Sequence, residues 1–203
     1  MRTDFDPDEL GSGAFYKFLT AVVVPRPIAW VATTSADGVD NLAPHSFFTV
    51  ACVDPPVVQF TSVGRKDSLT NVEATREMTI SLTPEWLIDQ VNATATNFGA
   101  DRDEFAEVGL EREPAARVRP PRVAGSPVAL ECVLHSTLCL GDSTVVFGRV
   151  VHAVVSEDAL VDGRPDVTRL KPLARLGGHQ WSTIGEVLER RRIDVRDWDY
   201  PGD

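Results

Sequence analysis

The chain has 203 residues and a formal charge of −10, from 30 Asp and Glu against 20 Lys and Arg. A surface this acidic argues against broad binding to nucleic acid or to anionic membranes, both of which need an excess of Lys and Arg. The length and the 43% hydrophobic content fit one domain with a sizeable core.

The opening MRTDFDPDELGSG carries Asp4, Asp6, Asp8 and Glu9 and no apolar run, so it reads neither as a secretory signal nor as a transit peptide, and a cytoplasmic location follows. The longest apolar stretch, Ala21 to Thr33, is cut by Pro25, Arg26 and Pro27 and falls short of the roughly 20 residues that span a bilayer. Cys52, Cys132 and Cys139 form no CxxC pair, and their apolar or β-forming neighbours mark them as reduced core residues.

Phe15, Phe18, Leu19 and Val22 recur at helical spacing, predicting a short helix that stops at the prolines. Strand pattern follows in Ile28 to Thr34, Ser46 to Cys52 and Val57 to Ser62, with a polar connection between the first two. A helix from Asp67, its expected N-cap, to Thr75 leads to a strand from Met78 to Leu82. Thr83-Pro84 offers a capping hydroxyl and a first-position proline for a helix running to about Ala95. Phe98 to Gly125, rich in charge and proline, reads as a surface excursion with one short helix near Asp103 to Val108. Val128 to Leu138 and Thr144 to Val155 form a hairpin around Gly141-Asp142-Ser143, and Thr183 to Arg192 has the spacing of an amphipathic helix. About six antiparallel strands with helices between them, and no βαβα alternation, predict a mainly β (α+β) barrel.

Two stretches concentrate chemistry. Thr61-Ser62-Val63-Gly64-Arg65-Lys66-Asp67-Ser68 lies where a strand gives way to a helix. Its hydroxyls on Thr61, Ser62 and Ser68, its two cations and the free N–H groups of the helix start can converge on one phosphate. The same residues also suit a surface helix with two solvated cations. Asn41-Leu42-Ala43-Pro44-His45-Ser46-Phe47-Phe48 is a polar bend entering an apolar strand. Asn41, amides near Ala43 and Ser46 offer edge hydrogen bonds to a flat heteroaromatic ring, with Phe47 or Phe48 beside it; the alternative is a proline-containing loop that packs two core phenylalanines.

Trp30 offers an aromatic face from the neighbouring strand, or simple core packing. Gly177-Gly178-His179-Gln180-Trp181 combines close backbone approach, an imidazole and an indole, or forms a structural glycine turn. Asn92, Thr94, Thr96 and Asn97 either reach a pocket or cap a helix end. His135 and His152 have no partner at metal-ligand spacing. GxGxxG, a phosphate-binding P-loop, a nucleophile elbow and a zinc signature are all absent from the sequence, which sets aside a Rossmann site, a triad hydrolase and a metal centre.

In order and spacing, VPRPIAWVATTSADGVDNLAPHSFF, PPVVQFTSVGRKDSLTN, PVALECVL, FGRVV and RLGGHQW closely resemble the flavin reductase-like family of FMN-binding split barrels, over about residues 14 to 182. The resemblance implies a six-stranded antiparallel split β-barrel with flanking helices, which forms a homodimer and binds FMN, in preference to FAD, near the subunit interface. NAD(P)H supplies a hydride in the members that are reductases, and the acceptor beyond the flavin is a flavin-dependent monooxygenase or another electron acceptor. Carried over by position, Asn41, Ala43, Pro44, His45, Ser46 and Phe47 border the ring, while Thr61, Ser62, Arg65, Lys66, Asp67 and Ser68 hold the phosphate and ribityl chain. Trp30 and Trp181 fall near the ring, although the family commonly has Tyr at the latter position; His45 and His179 are candidate proton donors. The same likeness permits a flavin-binding electron carrier or redox sensor without NAD(P)H activity, or a barrel holding a deazaflavin. Arg112, Arg117, Arg119 and Arg122 either meet a 2′-phosphate or are solvated. The expected division is an N-terminal segment 1–13, a split-barrel domain 14–192 and a tail 193–203, in which Trp198 and Tyr200 wrap a partner subunit or are disordered.

Overall fold

The computed structural model describes residues 1–198; Tyr200, one of the two aromatic residues singled out in the tail, lies outside them. Two helices open the chain, α1 (Pro7–Leu10) and α2 (Ser12–Val22), followed by strands β1 (Ala29–Thr34), β2 (Asp40–His45), β3 (Phe48–Cys52) and β4 (Val57–Val63). Helix α3 (Asp67–Thr75), strand β5 (Glu77–Leu82), helix α4 (Ile88–Ala93), helix α5 (Glu104–Glu107) and the long hairpin β6 (Val128–Leu140) and β7 (Ser143–Val155) complete the framework.

These strands form one antiparallel sheet of seven, ordered β2-β1-β5-β6-β7-β4-β3. Its two edges, β2 and β3, are consecutive in the chain and joined only by Ser46 and Phe47. The sheet must therefore curl until its edges meet at that corner, where the Thr61 N–H extends the β3–β4 ladder by donating to the Phe47 carbonyl at 2.9 Å. Beyond the corner the edges diverge, which splits the barrel. The β6–β7 hairpin projects past the body, and all of 135–140 is exposed.

Strand β1, AWVATT, is buried at every position, so alternate residues face two separate cores. Ala29 and Val31 point into the barrel with Phe60, Met78, Ile80, Cys132 and Val146, and α3 plugs that space with Leu69 and Val72. Trp30 and Ala32 face outward, where Leu42, Val91, Phe105 and Val123 cover them with α4, α5 and the excursion. Packing is tight at Gly148 in β7, where a Cβ would displace Cε of Met78 and lie 3.2 Å from Cβ of Cys132.

Several expectations are corrected. Residues 40–45, expected as connection, form strand β2, which brings the sheet to seven strands within the split-barrel architecture. Leu42 turns its N–H away from β1 to Glu104; by alternation Pro44 presents the same open side, so its missing N–H costs no ladder bond. The N-cap of α3 is Lys66 rather than Asp67. Thr83 caps nothing: its hydroxyl is buried without a partner, and the chain passes through a 3-10 turn, Glu85–Leu87, before α4. Of the cysteines only Cys132 is in the core, while Cys52 and Cys139 are exposed near strand ends. The helix expected over 183–192 does not form.

Candidate functional site

A cleft of about 450 Å³ opens where the barrel splits. One wall is the end of β2 and its corner, contributing Asn41, Ala43, Pro44, His45, Ser46 and Phe47. The other is the end of β4 and the start of α3, with Thr61, Arg65, Lys66, Asp67 and Ser68. Residues 20 positions apart thus meet because the curled sheet sets β2 against β4. Thr94, Thr96 and Asn97, after α4, form the rim. Tyr16, Val63, Ala95, Phe98 and Glu104 also line the cleft and were not singled out from the sequence; nothing in their local pattern marks them, since each arrives through tertiary packing.

Four expected site residues, Trp30, Ser62, His179 and Trp181, lie elsewhere, and the reasons are geometric. Trp30 is fully buried in the outer core, and its Nε1–H donates to the Thr94 hydroxyl at 2.9 Å. It therefore offers no face to a ligand. Ser62 is fully buried and donates to the Gly64 carbonyl at 2.9 Å. Trp181 packs over the Arg175 guanidinium, 4.5 Å from its ring centroid, and shares a separate hollow with His179, Asp89 and Asn92.

The cleft floor is a continuous polar chain. Glu104 is 4% exposed; its two oxygens accept from Asn41 Nδ2 at 2.9 Å and from the Leu42 N–H at 3.0 Å. That fixes the Asn41 carboxamide with Oδ1 toward Ser68, whose hydroxyl lies 3.0 Å away. Ser68 in turn lies 3.2 Å from His45 Nε2. A serine hydroxyl has one proton, so it satisfies either Asn41 or a neutral His45 whose proton is on Nδ1, facing the Thr61 backbone. Burial pushes the His45 ring down from its ordinary value of 6.5 to about 4; the Thr61 backbone bond opposes the shift and the Lys66 charge adds to it. His45 is therefore neutral at pH 7 and carries no imidazolium charge. Burial raises the Glu104 carboxyl, against the pull of its N–H donors. Both oxygens nonetheless face donors, the arrangement an ionised carboxylate needs.

At the other side of the floor, α3 begins without any side-chain cap. Its first-turn N–H groups stay free of side-chain acceptors beside Lys66, whose Nζ reaches Asn97 at 3.3 Å, and Arg65, paired with Glu73 at 2.8 Å on the surface. Uncapped N–H groups, a positive helix end and an ammonium form the donor set that a phosphate monoester takes. The cleft is also aromatic in part, with the Tyr16 and Phe47 ring centroids 6.3 Å apart. This pairing of an anion site and aromatic rings fits FMN. Among the described residues no group of three His, Cys, Asp or Glu is placed to hold a metal ion, and no helix is long and apolar enough to cross a membrane.

The sheet order and the cleft at its split define a flavin reductase-type split barrel. The family described as "Flavin reductase like domain" matches residues 21–171, and the chain belongs to that family. It is similar to the crystal structure of nitrilotriacetate monooxygenase component B from Bacillus cereus, with a TM-score of 0.90 and 30% identity, covering 94% of this chain and 99% of that one. A protein of Deinococcus radiodurans is 36% identical over 97% of this chain and 92% of its own. The reductase subunit HsaB of a flavin-dependent monooxygenase from Rhodococcus jostii is 27% identical over 70% of this chain and 71% of its own.

Proposed function

We propose that the chain is an FMN-binding NAD(P)H:flavin oxidoreductase, acting in the cytoplasm as a homodimer and passing electrons from its flavin to a partner oxygenase. The observation that carries the cofactor assignment is the uncapped start of α3 beside Lys66, in the same cleft as the Tyr16 and Phe47 rings. The names of the two monooxygenase components to which the chain is similar support the oxygenase partner. Leu138 and Leu140 on the hairpin arm, Val50 in β3 and Val53 just after it, each at least half exposed, support a second copy packed against the sheet. Free thiols at Cys52 and Cys139 suit a reducing compartment.

Bound flavin would supply the chemistry, accepting a hydride from the nicotinamide and releasing electrons onward. The chain's own task is placement. Lys66 and the first-turn amides of α3 hold the phosphate, helped by Thr61 and Ser68. Arg65 adds positive potential from the surface. Asn41, locked by Glu104, gives the floor a fixed acceptor. Ser46 and the β2–β3 corner offer donors to the edge of the ring where negative charge grows, and Phe47 and Tyr16 flank its face. No acid is required beside the ring, in accord with a neutral His45.

The test is a fluorescence-quenching titration with FMN and with riboflavin. Lys66→Ala should weaken FMN binding by about tenfold or more, the worth of a charge-assisted hydrogen bond, and leave riboflavin binding unchanged. Equal losses for both ligands, or none, would remove the phosphate assignment.

A further inference from the structure

The segment after Ser182 carries a sequence signal that the fold leaves unused. Ile184, Val187 and Leu188 have helical spacing, yet no helix forms and the three side chains are 44%, 49% and 68% exposed. Among the described residues, every hydrogen bond made by 183–198 is internal to that segment. A helix of this length is marginal in water unless its apolar face packs on something. Ile193, Val195 and Trp198 are exposed as well. So many uncovered apolar groups in sequence mark a surface awaiting a partner.

A matching surface exists on the body. An apolar groove of about 410 Å³ lies between α2 and the β2–β3 corner, walled by Leu19, Val23, Pro25, Phe47 and Phe48. It adjoins the cleft, sharing Ser46 and Phe47 with it. Charge completes the match. The chain before α2 folds back along that helix, Phe5 stacking on Phe18 with centroids 4.7 Å apart, and carries exposed Asp4, Asp6, Asp8 and Glu9. The segment's apolar triplet is followed by Arg190, Arg191 and Arg192. The groove, which Arg26 also lines, is bordered by the helix that follows an acidic segment, and the apolar stripe, interleaved with Glu186 and Glu189, ends in three arginines.

The segment's own groove is close. Ser182 pairs with Ala174, and Ala174 with Pro27, so the segment starts two strand spacings, about 10 Å, from the groove's rim. The chain leaves that rim and the groove stays open. We propose that residues 183–198 dock on the α2 groove of a second copy of this chain, the apolar triplet entering the groove and the arginines meeting the acids before α2. The partner's segment then lies against Phe47, which also lines the cleft. This rests on the homodimer proposed above and assigns it a reciprocal strap.

The experiment uses full-length chains carrying Cys52→Ser and Cys139→Ser, which remove the two exposed thiols. One population adds Leu19→Cys and the other Leu188→Cys. The two are mixed with oxidised glutathione, which takes up the two electrons and two protons released as the disulfide forms. The expected product is a mixed covalent dimer on a non-reducing gel. Its rate of formation should fall at least tenfold with Arg190, Arg191 and Arg192 all changed to Glu, and recover when the other chain carries Asp4→Lys, Asp6→Lys and Asp8→Lys. Sedimentation of the unmodified protein is run alongside. A sedimenting dimer without the mixed disulfide overturns the strap and leaves the homodimer standing. A third chain carries both Leu19→Cys and Leu188→Cys, and a disulfide that forms only within that chain, with no mixed dimer, overturns the strap in favour of self-docking. A monomer at every concentration removes the homodimer and the strap together.

Discussion

Lowering the pH from 7 to 5 protonates an ordinary histidine but not His45, whose buried ring is held down at about 4 against 6.5. The unfolded chain therefore binds a proton that the folded chain refuses, and stability falls as the pH drops below 6.5, levelling off near 4. At pH 5 the unfolded state gains a factor of about 30, equivalent to about 2 kcal/mol, a sizeable share of the 5–15 kcal/mol that holds a typical domain together. Many carboxylates titrate in the same range, so the quantity to follow is a difference. His45→Asn removes the titrating ring, and the stability gap between the native protein and this variant should narrow by about 2 kcal/mol from pH 7 to pH 5. Urea unfolding followed by tryptophan fluorescence at pH 7, 6 and 5 measures it. A gap that stays constant or widens would mean that Ser68 and the Thr61 backbone hold a charged ring, and the neutral floor of the cleft would be wrong.

Glu104→Gln replaces an acceptor that serves two donors with an amide that clashes with one of them; denaturant unfolding should show a loss of about 1–3 kcal/mol, and FMN titration a weaker complex. Trp30→Phe should lower the melting temperature by losing the bond to Thr94 while leaving FMN affinity unchanged, because the indole does not reach the cleft. Glu131, fully buried, accepts from the Ala116 and Arg117 backbone N–H groups at 2.9 and 2.6 Å. Glu131→Ala should release the excursion over 98–125, seen as faster proteolysis there and a loss of about 3–5 kcal/mol.

Much of the fold is local and therefore readable. The hairpin of β6 and β7 is announced by two long β-branched runs around Gly141-Asp142, and α2 by apolar spacing that ends at Pro25. One wall of the cleft is readable too, since Lys66, Asp67 and Ser68 are consecutive at a strand-to-helix junction. What escapes is set by tertiary packing. Strand β2 contains Asn41, Pro44 and His45, which look like a loop until the strand is known to lie at an edge where a missing N–H is harmless. Trp30 sits on a strand beside the one that walls the cleft, but alternation alone does not say which of two cores a buried residue joins. Glu104 looks like one solvated acid among many in a polar excursion; it becomes a buried anchor only when α5 carries it to Leu42, 62 residues away in sequence. The segment over 183–192 has a helical pattern whose apolar residues stay exposed, and pattern alone does not make a helix.

The most direct measurement is an anaerobic titration of the FMN-loaded protein with NADH and then NADPH, following the oxidised-flavin absorbance. One of the two should bleach it stoichiometrically. If neither does while dithionite reduces the same bound flavin, the protein is no NAD(P)H oxidoreductase, and an electron carrier fed by another protein takes that place.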